Sequence, residues 1–293
     1  LLHEAGLPEG VLNVVTGPGG VVGEALAGHP GVAKISFTGE TTTGARITRA
    51  ASDTIKRVSL ELGGKSPNIV FEDADLERCV EGSVGSVFGN TGQDCCARSR
   101  AFVQRKIYDR FLEAFVRRTR ALKVGDPTDE ATELGPMVST KQRDRALEYV
   151  RSGVAEKARL LCGGEVPAAA ALKHGAYLSP AAFDCPGTDL RIVREEIFGP
   201  VACVIPFDTE EEAVAMANES EYGLSGSIWT RDLGRALRVA RGVKSGVLSV
   251  NTATSVYLEA PFGGYKKSGV GRELGMHAMQ LYSEVKNVFL SAS

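Results

Sequence analysis

The sequence predicts an α/β protein whose strands are mostly parallel. Short apolar runs alternate with longer stretches of helical pattern along nearly the whole chain. Strands separated by helical crossovers pair in parallel, because the helix carries the chain back to the same end of the sheet. The composition is that of an ordinary globular chain of one to two domains, with 293 residues of which 43% are hydrophobic and 24% charged.

The first third of the chain has the clearest rhythm. Its predicted strands are residues 12–15, 32–37 and 57–62, and its predicted helices are residues 21–27 and 42–52. Together they form a βαβαβ unit with a parallel sheet. Residues 1–6 have the pattern of the last turns of a helix that ends at Gly6.

The same alternation continues to the end of the chain. The further predicted strands are residues 67–71, 101–104, 201–205, 225–230 and 246–250. The further predicted helices are residues 75–88, 108–122, 141–158, 210–217 and 233–241. Residues 164–176 have the composition of a flexible surface connection.

Composition and charge argue against several classes of function. The net charge is −2, with basic and acidic residues mixed, so neither a nucleic-acid-binding surface nor a polybasic membrane surface is expected. No apolar run approaches the roughly 18 residues of a membrane-spanning helix, and the first residues lack a signal-peptide pattern. The six cysteines are scattered and the four histidines isolated, which favours a reducing compartment and argues against zinc. We therefore expect a cytoplasmic protein without a metal.

Cys95 is the first candidate for chemistry. It ends the sequence Gly92-Gln93-Asp94-Cys95, after a predicted helix and a loop rich in glycine and asparagine. A thiolate near a helix N-terminus or near cations has a lowered pKa and becomes nucleophilic. The alternative is a buried structural cysteine, the role expected for Cys96. A Cys–His hydrolase is disfavoured, because none of the four histidines stands in a catalytic setting.

Glu61 is a candidate for a general base. It ends an apolar strand and precedes two glycines, which places it at the carboxyl edge of the predicted sheet. Ligands bind in the crevice at that edge in open α/β folds. A partly desolvated carboxylate there would have a raised pKa and could activate water. The residue pattern leaves open the alternative that Glu61 only caps a turn.

Residues 37–44 are a candidate phosphate site. A strand ends in Thr38 and Gly39, and threonines then open a helix that includes Gly44. Free backbone N–H groups at a helix N-terminus favour an anion such as a pyrophosphate. A simple turn with threonine caps is the alternative, and Glu40 would bring a like charge close to a phosphate. Gly19 belongs to an earlier glycine cluster that allows a similarly close backbone approach.

Five motifs occur in a fixed order along the chain. They are F-T-G-x-x-x-x-G at 37–44, L-E-L-G-G-K-S-P at 60–67, G-Q-x-C at 92–95, E-E-I-F-G-P-V at 195–201 and P-F-G-G-x-K-x-S-G-x-G-R-E at 261–273. Singly, the last two are best interpreted as turns. Together, the five resemble the aldehyde dehydrogenase superfamily, in register from Ala5 to the C-terminus.

The resemblance implies NAD(P)-dependent oxidation of a small-molecule aldehyde to a carboxylic acid. Cys95 matches the nucleophile, which forms a thiohemiacetal and, after hydride transfer to the nicotinamide, a thioester. Glu61 matches the base that activates the hydrolytic water. The positions that match contacts with NAD or NADP are Gly19, Thr38, Gly39, Glu40, Gly44, Leu62, Gly63, Glu196 and Phe198. The positions that match the substrate side are Asp94, Asn251, Val256 and Phe262.

Two positions depart from the family pattern. Glu40 replaces a common serine, although that contact is made largely through the backbone. Asp94 stands where many relatives carry an apolar residue or a cysteine. An acidic residue beside the nucleophile favours a cationic substrate, such as an aminoaldehyde. The alternative is that Asp94 caps a local turn.

The resemblance also implies a domain organisation. Residues 1–63 would be a Rossmann-like parallel sheet remnant of the cofactor domain, with residues 268–282 packed back on it. Residues 64–267 would form an α/β catalytic domain. Residues 283–293 would be an oligomerisation segment, whose strand at 284–290 pairs between the subunits of a homodimer or homotetramer.

The family's N-terminal region is expected to lie outside this sequence. That region supplies the asparagine of the oxyanion hole and the contacts to the adenosine ribose, so NAD and NADP are not distinguished here. Two interpretations follow. The chain is part of a functional dehydrogenase, or it is an inactive fragment that acts only in subunit association.

Overall fold

The computed structural model describes residues 1–169 and 172–292. Its helices are α1 (Gly19–Gly28), α2 (Thr41–Ser52), α3 (Leu76–Phe88), α4 (Tyr108–Arg120), α5 (Thr140–Ala155), α6 (Arg191–Arg194), α7 (Glu210–Asn218), α8 (Leu233–Gly242) and α9 (Gly275–Leu281). Its strands are β1 (Lys34–Thr38), β2 (Arg57–Glu61), β3 (Pro67–Val70), β4 (Arg100–Gln104), β5 (Arg159–Cys162), β6 (Ala181–Asp184), β7 (Val201–Phe207), β8 (Tyr222–Gly223), β9 (Ser227–Trp229), β10 (Ser249–Val250), β11 (Tyr265–Lys266) and β12 (Gly269–Val270). The order of elements confirms the predicted α/β class.

The larger sheet has seven strands in the order β10-β9-β3-β4-β7-β6-β5. Its neighbours are parallel except for β5, which runs antiparallel to β6 at one edge. The central strands are buried on both faces. Phe102 of β4 packs into one apolar cluster, whereas Ala101 and Val103 pack into the other. Strands covered on both faces are apolar throughout, which explains the short continuous apolar runs of the sequence.

The smaller sheet has the order β1-β2-β12 and creates the edge at which the candidate site lies. The strands β1 and β2 are parallel, with Thr38 opposite Glu61. The Gly39 N–H donates to the carbonyl oxygen of Glu61 over 3.0 Å. The strand β12 runs antiparallel to β2 and places Gly269 opposite Glu61. The carboxyl ends of β1 and β2 therefore meet at Glu61, where ligands bind in open parallel sheets.

The strand predicted at residues 12–15 is wrong. These residues form no strand, and Leu12, Val14 and Val15 are exposed. Among the described residues no strand pairs with them, so their apolar pattern has no ladder to join. Residues 1–6 form turns, but Gly6 has a φ of +82° and the Leu7 N–H donates to the Leu2 carbonyl over 3.0 Å. Those features are typical of a helix C-terminus.

Several short helices and strands were not predicted from the sequence. They are β5, β6, β8, β11, β12, α6 and α9. The predicted connection 164–176 includes residues 170 and 171, which lie outside the described residues, as does residue 293 at the end of the predicted oligomerisation segment.

The C-terminal segment forms no strand within this chain over residues 284–290. Its apolar side chains are exposed at Val285, Val288, Phe289 and Leu290. Its pairing with a second subunit stays a prediction. None of the described helices combines the length and the apolar character that crossing a membrane requires.

Candidate active site

A strained loop presents Cys95. Helix α3 ends at Phe88, and the next residues include three with left-handed backbone angles: Asn90 (φ +50°), Thr91 (φ +58°) and Gly92 (φ +68°). A β-branched residue such as Thr91 rarely adopts this conformation, and such strain clusters at functional sites. A Cβ atom added to Gly92 would lie 2.2 Å from the carbonyl oxygen of Gly199, so the loop packs directly on a neighbouring backbone.

Cys95 is half-buried and retains a free main-chain donor. Among the described residues, nothing accepts a hydrogen bond from its N–H group. The sulfur atoms of Cys95 and Cys96 and a carboxylate oxygen of Asp94 all lie within 4.8 Å of one another. The hydrogen bond between the two thiols, together with burial, raises the pKa of the Cys95 thiol well above its usual range. The predicted nucleophile is therefore a thiol that would need a proton acceptor in order to attack.

The two thiols titrate in opposite directions. The hydrogen bond from Cys95 lowers the pKa of the Cys96 thiol, and the nearby Arg98 guanidinium lowers it further. The Cys96 side chain is buried, with 4% of its surface exposed. A thiolate of this pair is thus favoured at Cys96, the sulfur that is shielded from solvent.

Glu61 has the properties of a poised base. It ends β2 with only 6% of its surface exposed. Its Oε2 atom has no hydrogen-bond partner among the described residues. Burial raises the pKa of Glu61 to about 7; Glu273 raises it further and Arg272 opposes the shift. A carboxyl group with a pKa near neutrality can take a proton from water at physiological pH.

One cavity brings Glu61 and Cys95 together. It has a volume of about 610 Å³ and lies at the carboxyl ends of β1 and β2. The other sequence-predicted residues on its wall are Thr38, Gly39, Glu40, Leu62, Gly63, Asp94, Glu196 and Phe198. The structure therefore gathers most of the predicted site at one edge of the smaller sheet.

Glu196 is fixed against the segment that follows Glu61. Its Oε1 atom accepts a hydrogen bond from the Gly64 N–H over 3.0 Å. A Cβ atom added to Gly63 would lie 2.0 Å from the Oε2 atom of Glu196, so a side chain at position 63 would displace the Glu196 carboxylate. Burial raises the pKa of Glu196, and the Gly64 N–H opposes the shift.

Phe198 is held in an unusual backbone conformation, with a φ of +53°. The side-chain amide of Gln142 donates to the carbonyl oxygens of Ile197 (3.0 Å) and Phe198 (2.9 Å). Through Gln142, helix α5 thus fixes the backbone of residues 197–198 at the cavity wall.

The start of α2 is equipped for an anion. The helix begins at Thr41, and the preceding Glu40 forms no side-chain cap. The Thr41 hydroxyl is buried, lies on the cavity wall and forms no hydrogen bond among the described residues; the Tyr222 hydroxyl approaches it without hydrogen-bond geometry. An orphaned hydroxyl beside free helix N–H groups fits a phosphate oxygen.

A second cavity, with a volume of about 900 Å³, also includes Cys95 in its wall. It is lined by residues of α3, of the Cys95 loop and of residues 252–256, and it includes the predicted residues Asp94, Val256 and Phe262. Cys95 therefore lines two cavities, which suits a thiol that must meet two different molecules.

Three predicted residues lie outside both cavities. Gly19 begins α1 and contacts neither wall. A Cβ atom added to Gly44 would lie 2.7 Å from the Cδ2 atom of Leu62, so Gly44 allows α2 to pack on that side chain. Asn251 exchanges hydrogen bonds with the backbone of Thr230, at 3.1 and 2.9 Å. Their predicted ligand contacts stay predictions.

Asp94 belongs to a local turn. Its Oδ1 atom accepts a hydrogen bond from the Cys96 N–H over 2.8 Å, and its carbonyl oxygen accepts one from the Ala97 N–H over 3.0 Å. The side chain is also exposed and lies on the wall of both cavities. The geometry suits the turn cap and still leaves one carboxylate oxygen for a ligand.

Residues 1–288 match the sequence profile of the Aldehyde dehydrogenase family. The chain belongs to this family. The betaine aldehyde dehydrogenase of Rhizobium johnstonii is 48% identical over 290 residues, which are 99% of this chain and 59% of that protein. The betaine aldehyde dehydrogenase of Sinorhizobium fredii is 49% identical over the same shares of the two chains. The chain thus spans about three fifths of the length of these relatives.

Solved structures share the fold. A betaine aldehyde dehydrogenase from Staphylococcus aureus, crystallised with NAD+, has a TM-score of 0.93 and 41% identity, covering 96% of this chain and 56% of that one. The HpcC protein from Thermus thermophilus has a TM-score of 0.94 and 45% identity, covering 97% of this chain and 56% of that one.

The first cavity also has wall residues that were not among the predicted site residues. Thr41, Thr42, Gln93 and Glu195 lie within the motifs, whereas Gln142, Arg145, Tyr149 and Tyr222 lie outside all of them. Gln142, Arg145 and Tyr149 lie on one face of α5, at the i, i+3 and i+7 positions of a helix. That spacing was visible in the sequence, but nothing in it indicated that this face meets a ligand cavity.

Proposed function

We propose that this chain carries the catalytic centre of a dehydrogenase that oxidises an aldehyde to a carboxylic acid with NAD or NADP. The observation that carries the proposal is the position of Cys95. Its thiol shares one cavity with the buried carboxyl group of Glu61 and also lines a second cavity. The first cavity would hold the cofactor and the second the aldehyde.

The chain's own residues account for the carbon chemistry. The Cys95 sulfur adds to the aldehyde carbon, and the free Cys95 N–H can donate to the developing oxyanion. As the C–S bond forms, the thiol proton passes to solvent and the carbonyl oxygen of the aldehyde gains negative charge. The hydride then leaves that carbon, and a thioester remains on Cys95. Glu61 removes a proton from a water molecule, which attacks the thioester and releases the acid and the thiol.

The residues present fit a dinucleotide. The orphaned Thr41 hydroxyl and the first turn of α2 suit a phosphate group, and Thr38, Gly39 and Glu40 offer backbone beside it. Glu196, Phe198, Leu62 and Gly63 lie where a nicotinamide ribose and ring would contact the wall. When bound, the nicotinamide supplies the hydride acceptor.

The substrate charge is a separate question. An exposed Asp94 beside Cys95 favours a cationic aldehyde. The similarity of this chain to proteins named betaine aldehyde dehydrogenase supports the same preference. The turn bond of Asp94 supports the alternative of a structural cap. Comparable kcat/KM values for neutral aldehydes and aminoaldehydes of equal length would contradict the cationic preference.

We also propose the division into residues 1–63 with 268–282, residues 64–267 and residues 283–293. The pairing of β12 with β2 supports the return of the chain to the first unit. The exposed apolar residues of the last segment suit association into a homodimer or homotetramer, and six free cysteines suit the cytoplasm.

The second candidate function is subunit association without catalysis. It is favoured by the exposed apolar residues at 12–15 and 284–290. The test is to express residues 1–293 and the longest polypeptide that contains them, and to follow reduction of NAD+ and NADP+ with several aldehydes. Turnover by the longer polypeptide that Cys95→Ser abolishes supports the dehydrogenase. Well-folded protein of both lengths without turnover on any aldehyde favours the association role.

A further inference from the structure

Arg98 stands three residues after Cys95 and lies on the wall of the second cavity. Only 3% of its surface is exposed. The backbone N–H of Arg98 donates to the carbonyl oxygen of Ser86 in α3 over 3.2 Å, which fixes the backbone of Arg98 against that helix. A guanidinium remains protonated in proteins, so the cavity wall carries a permanent buried positive charge.

The hydrogen-bond partners of this guanidinium are all uncharged. Nε donates to the Ser227 hydroxyl over 3.0 Å, Nη1 to the Cys96 carbonyl oxygen over 2.8 Å, and Nη2 to the Ser255 hydroxyl. Among the described residues no carboxylate lies within 4 Å of it. Each terminal nitrogen carries two N–H groups, so each keeps one beyond these bonds, and a guanidinium with two remaining N–H groups can still bind an anion such as a carboxylate.

Arg100 shows that burial alone does not set Arg98 apart. Arg100 is equally buried, and its guanidinium donates only to the carbonyl oxygens of Lys65, Met216 and Ala217. Arg100 lines neither of the two cavities. What distinguishes Arg98 is that it lines a cavity whose wall also includes Cys95.

The surrounding wall also favours a polar anion. Four residues with hydroxyl groups, Ser86, Thr252, Thr254 and Ser255, line the cavity with Arg98. Ser86 and Thr252 donate their hydroxyl protons within the chain, to the Ser83 carbonyl and the Thr254 hydroxyl, which leaves Thr254 and Ser255 as the hydroxyl donors for a carboxylate. From this arrangement we propose that the aldehyde substrate carries a carboxylate at the end remote from its carbonyl group, and that Arg98 binds it.

This proposal rests on the proposed dehydrogenase function and outweighs the charge of Asp94. The Asp94 side chain is exposed, so water and salt screen its attraction for a cation. The Arg98 charge is already removed from water, and its attraction for an anion in the cavity is screened far less. The groups within the chain whose negative charge would compete with a ligand for Arg98 are Cys96 first, and then Asp94 and Cys95.

The test uses paired probes on the longest polypeptide that contains this chain. The probes are straight-chain ω-oxo acids of four, five and six carbons and their methyl esters, which keep the aldehyde and remove the charge. Wild-type protein is compared with Arg98→Met, Arg98→Lys, Asp94→Asn and Cys96→Ser, and the measure is the ratio of kcat/KM for acid and ester. Folding of each variant is followed by circular dichroism.

We expect the wild type to prefer at least one acid over its ester by about 10- to 100-fold, the usual effect of a buried charge-assisted hydrogen bond. Arg98→Met should reduce that ratio to within about threefold of unity, while Arg98→Lys should keep part of it. Because the ester is measured on the same variant, a general loss of structure lowers both rates and leaves the ratio unchanged. Asp94→Asn and Cys96→Ser should retain the acid preference.

Two outcomes overturn the proposal. Either the wild type shows an acid-to-ester ratio near one at every chain length, or Arg98→Met keeps the acid preference of the wild type. Calorimetric binding of the product diacids and their monomethyl esters gives the same comparison without turnover. If no aldehyde is oxidised but diacid binding depends on Arg98, the dehydrogenase proposal fails while the Arg98 site stands.

Discussion

A Cβ atom added to Gly64 would lie 2.2 Å from the carbonyl oxygen of Cys95. The segment that follows Glu61 therefore touches the backbone of the nucleophile loop with no space between them. Gly64 also donates its N–H to Glu196 over 3.0 Å. Gly64 thus sets the relative positions of three residues with proposed roles: the base Glu61, the nucleophile Cys95 and the cofactor contact Glu196.

Gly64→Ala should displace the Cys95 loop and lower kcat by about 100-fold, since a shift of about an ångström at a reacting centre has effects of that size. The matched control is Gly23→Ala in α1, where an added Cβ meets no atom within 4 Å. The control should retain activity and gain slightly in thermal stability. Gly64→Ala turnover within twofold of the wild type would contradict this role.

The two adjacent cysteines should differ in function. Cys95→Ser should abolish turnover, by at least about a thousandfold, because no thioester can form. Cys96→Ser should retain turnover and should lower the pKa of the Cys95 thiol, because the thiol–thiol hydrogen bond and the Cys96 charge raise it. The rate of iodoacetamide alkylation of Cys95 against pH measures this shift. An alkylation midpoint that stays constant or rises in Cys96→Ser would show that Cys96 does not hold the Cys95 proton.

The raised pKa of Glu61 predicts the pH dependence of thioester hydrolysis. The base must be ionised, so the single-turnover hydrolysis rate should rise tenfold per pH unit below pH 7 and level off above it, since the pKa is about 7. Glu61→Gln should remove this rise and slow hydrolysis by about 100- to 10 000-fold, leaving a burst of reduced cofactor equal to the enzyme concentration. A linear time course without a burst in Glu61→Gln would contradict the assignment.

The same shift affects stability. Burial favours the protonated form of Glu61 in the folded state and raises its pKa from 4.5 to about 7. Its contribution to stability is therefore full below pH 4.5 and is lost as pH rises through 7. Relative to Glu61→Gln, the wild-type free energy of unfolding should fall by on the order of 2 kcal/mol across that window and stay constant above it. Urea unfolding of both proteins from pH 4 to 9 measures the difference, and parallel profiles would contradict it.

The sequence predicted the parts of the site whose chemistry is local. Glu61 was recognisable because a strand end followed by two glycines places a carboxylate at a sheet edge, and the fold puts it there. Cys95 was recognisable from its loop. The interactions formed across the fold were not: Gln142 holds a carbonyl oxygen 56 positions away, at Phe198. The residue pattern of a helix does not predict which loop its faces will contact in the folded protein.

The errors have the same physical origin. Residues 12–15 have the pattern of a strand, but a strand needs a partner, and none of the described strands pairs with them. β6 was missed because a run of four residues is too short for a periodic signal, although it is paired on both sides in the larger sheet. Arg98 reads in sequence as one more basic residue, and only its burial at a cavity wall gives it a role.

Removing the Thr41 hydroxyl should weaken cofactor binding without destabilising the fold. It is buried on the cavity wall without a hydrogen bond among the described residues, so its removal breaks no bond within the chain. Thr41→Val keeps the side-chain shape and should leave the cofactor-free protein at least as stable as the wild type, because an unsatisfied buried hydroxyl is destabilising. The same change should weaken binding of NAD+ or NADP+ by about 5- to 10-fold, the usual effect of one lost hydrogen bond. The control is Thr43→Val, on the same turn of α2 but outside the cavity wall. It should change the dissociation constant of the cofactor by less than about twofold and should leave the thermal stability unchanged.

Fluorescence titration gives the dissociation constants and thermal unfolding gives the stabilities. A Thr41→Val protein that is destabilised without cofactor, or that binds the cofactor as tightly as Thr43→Val, would show that this hydroxyl does not face the dinucleotide.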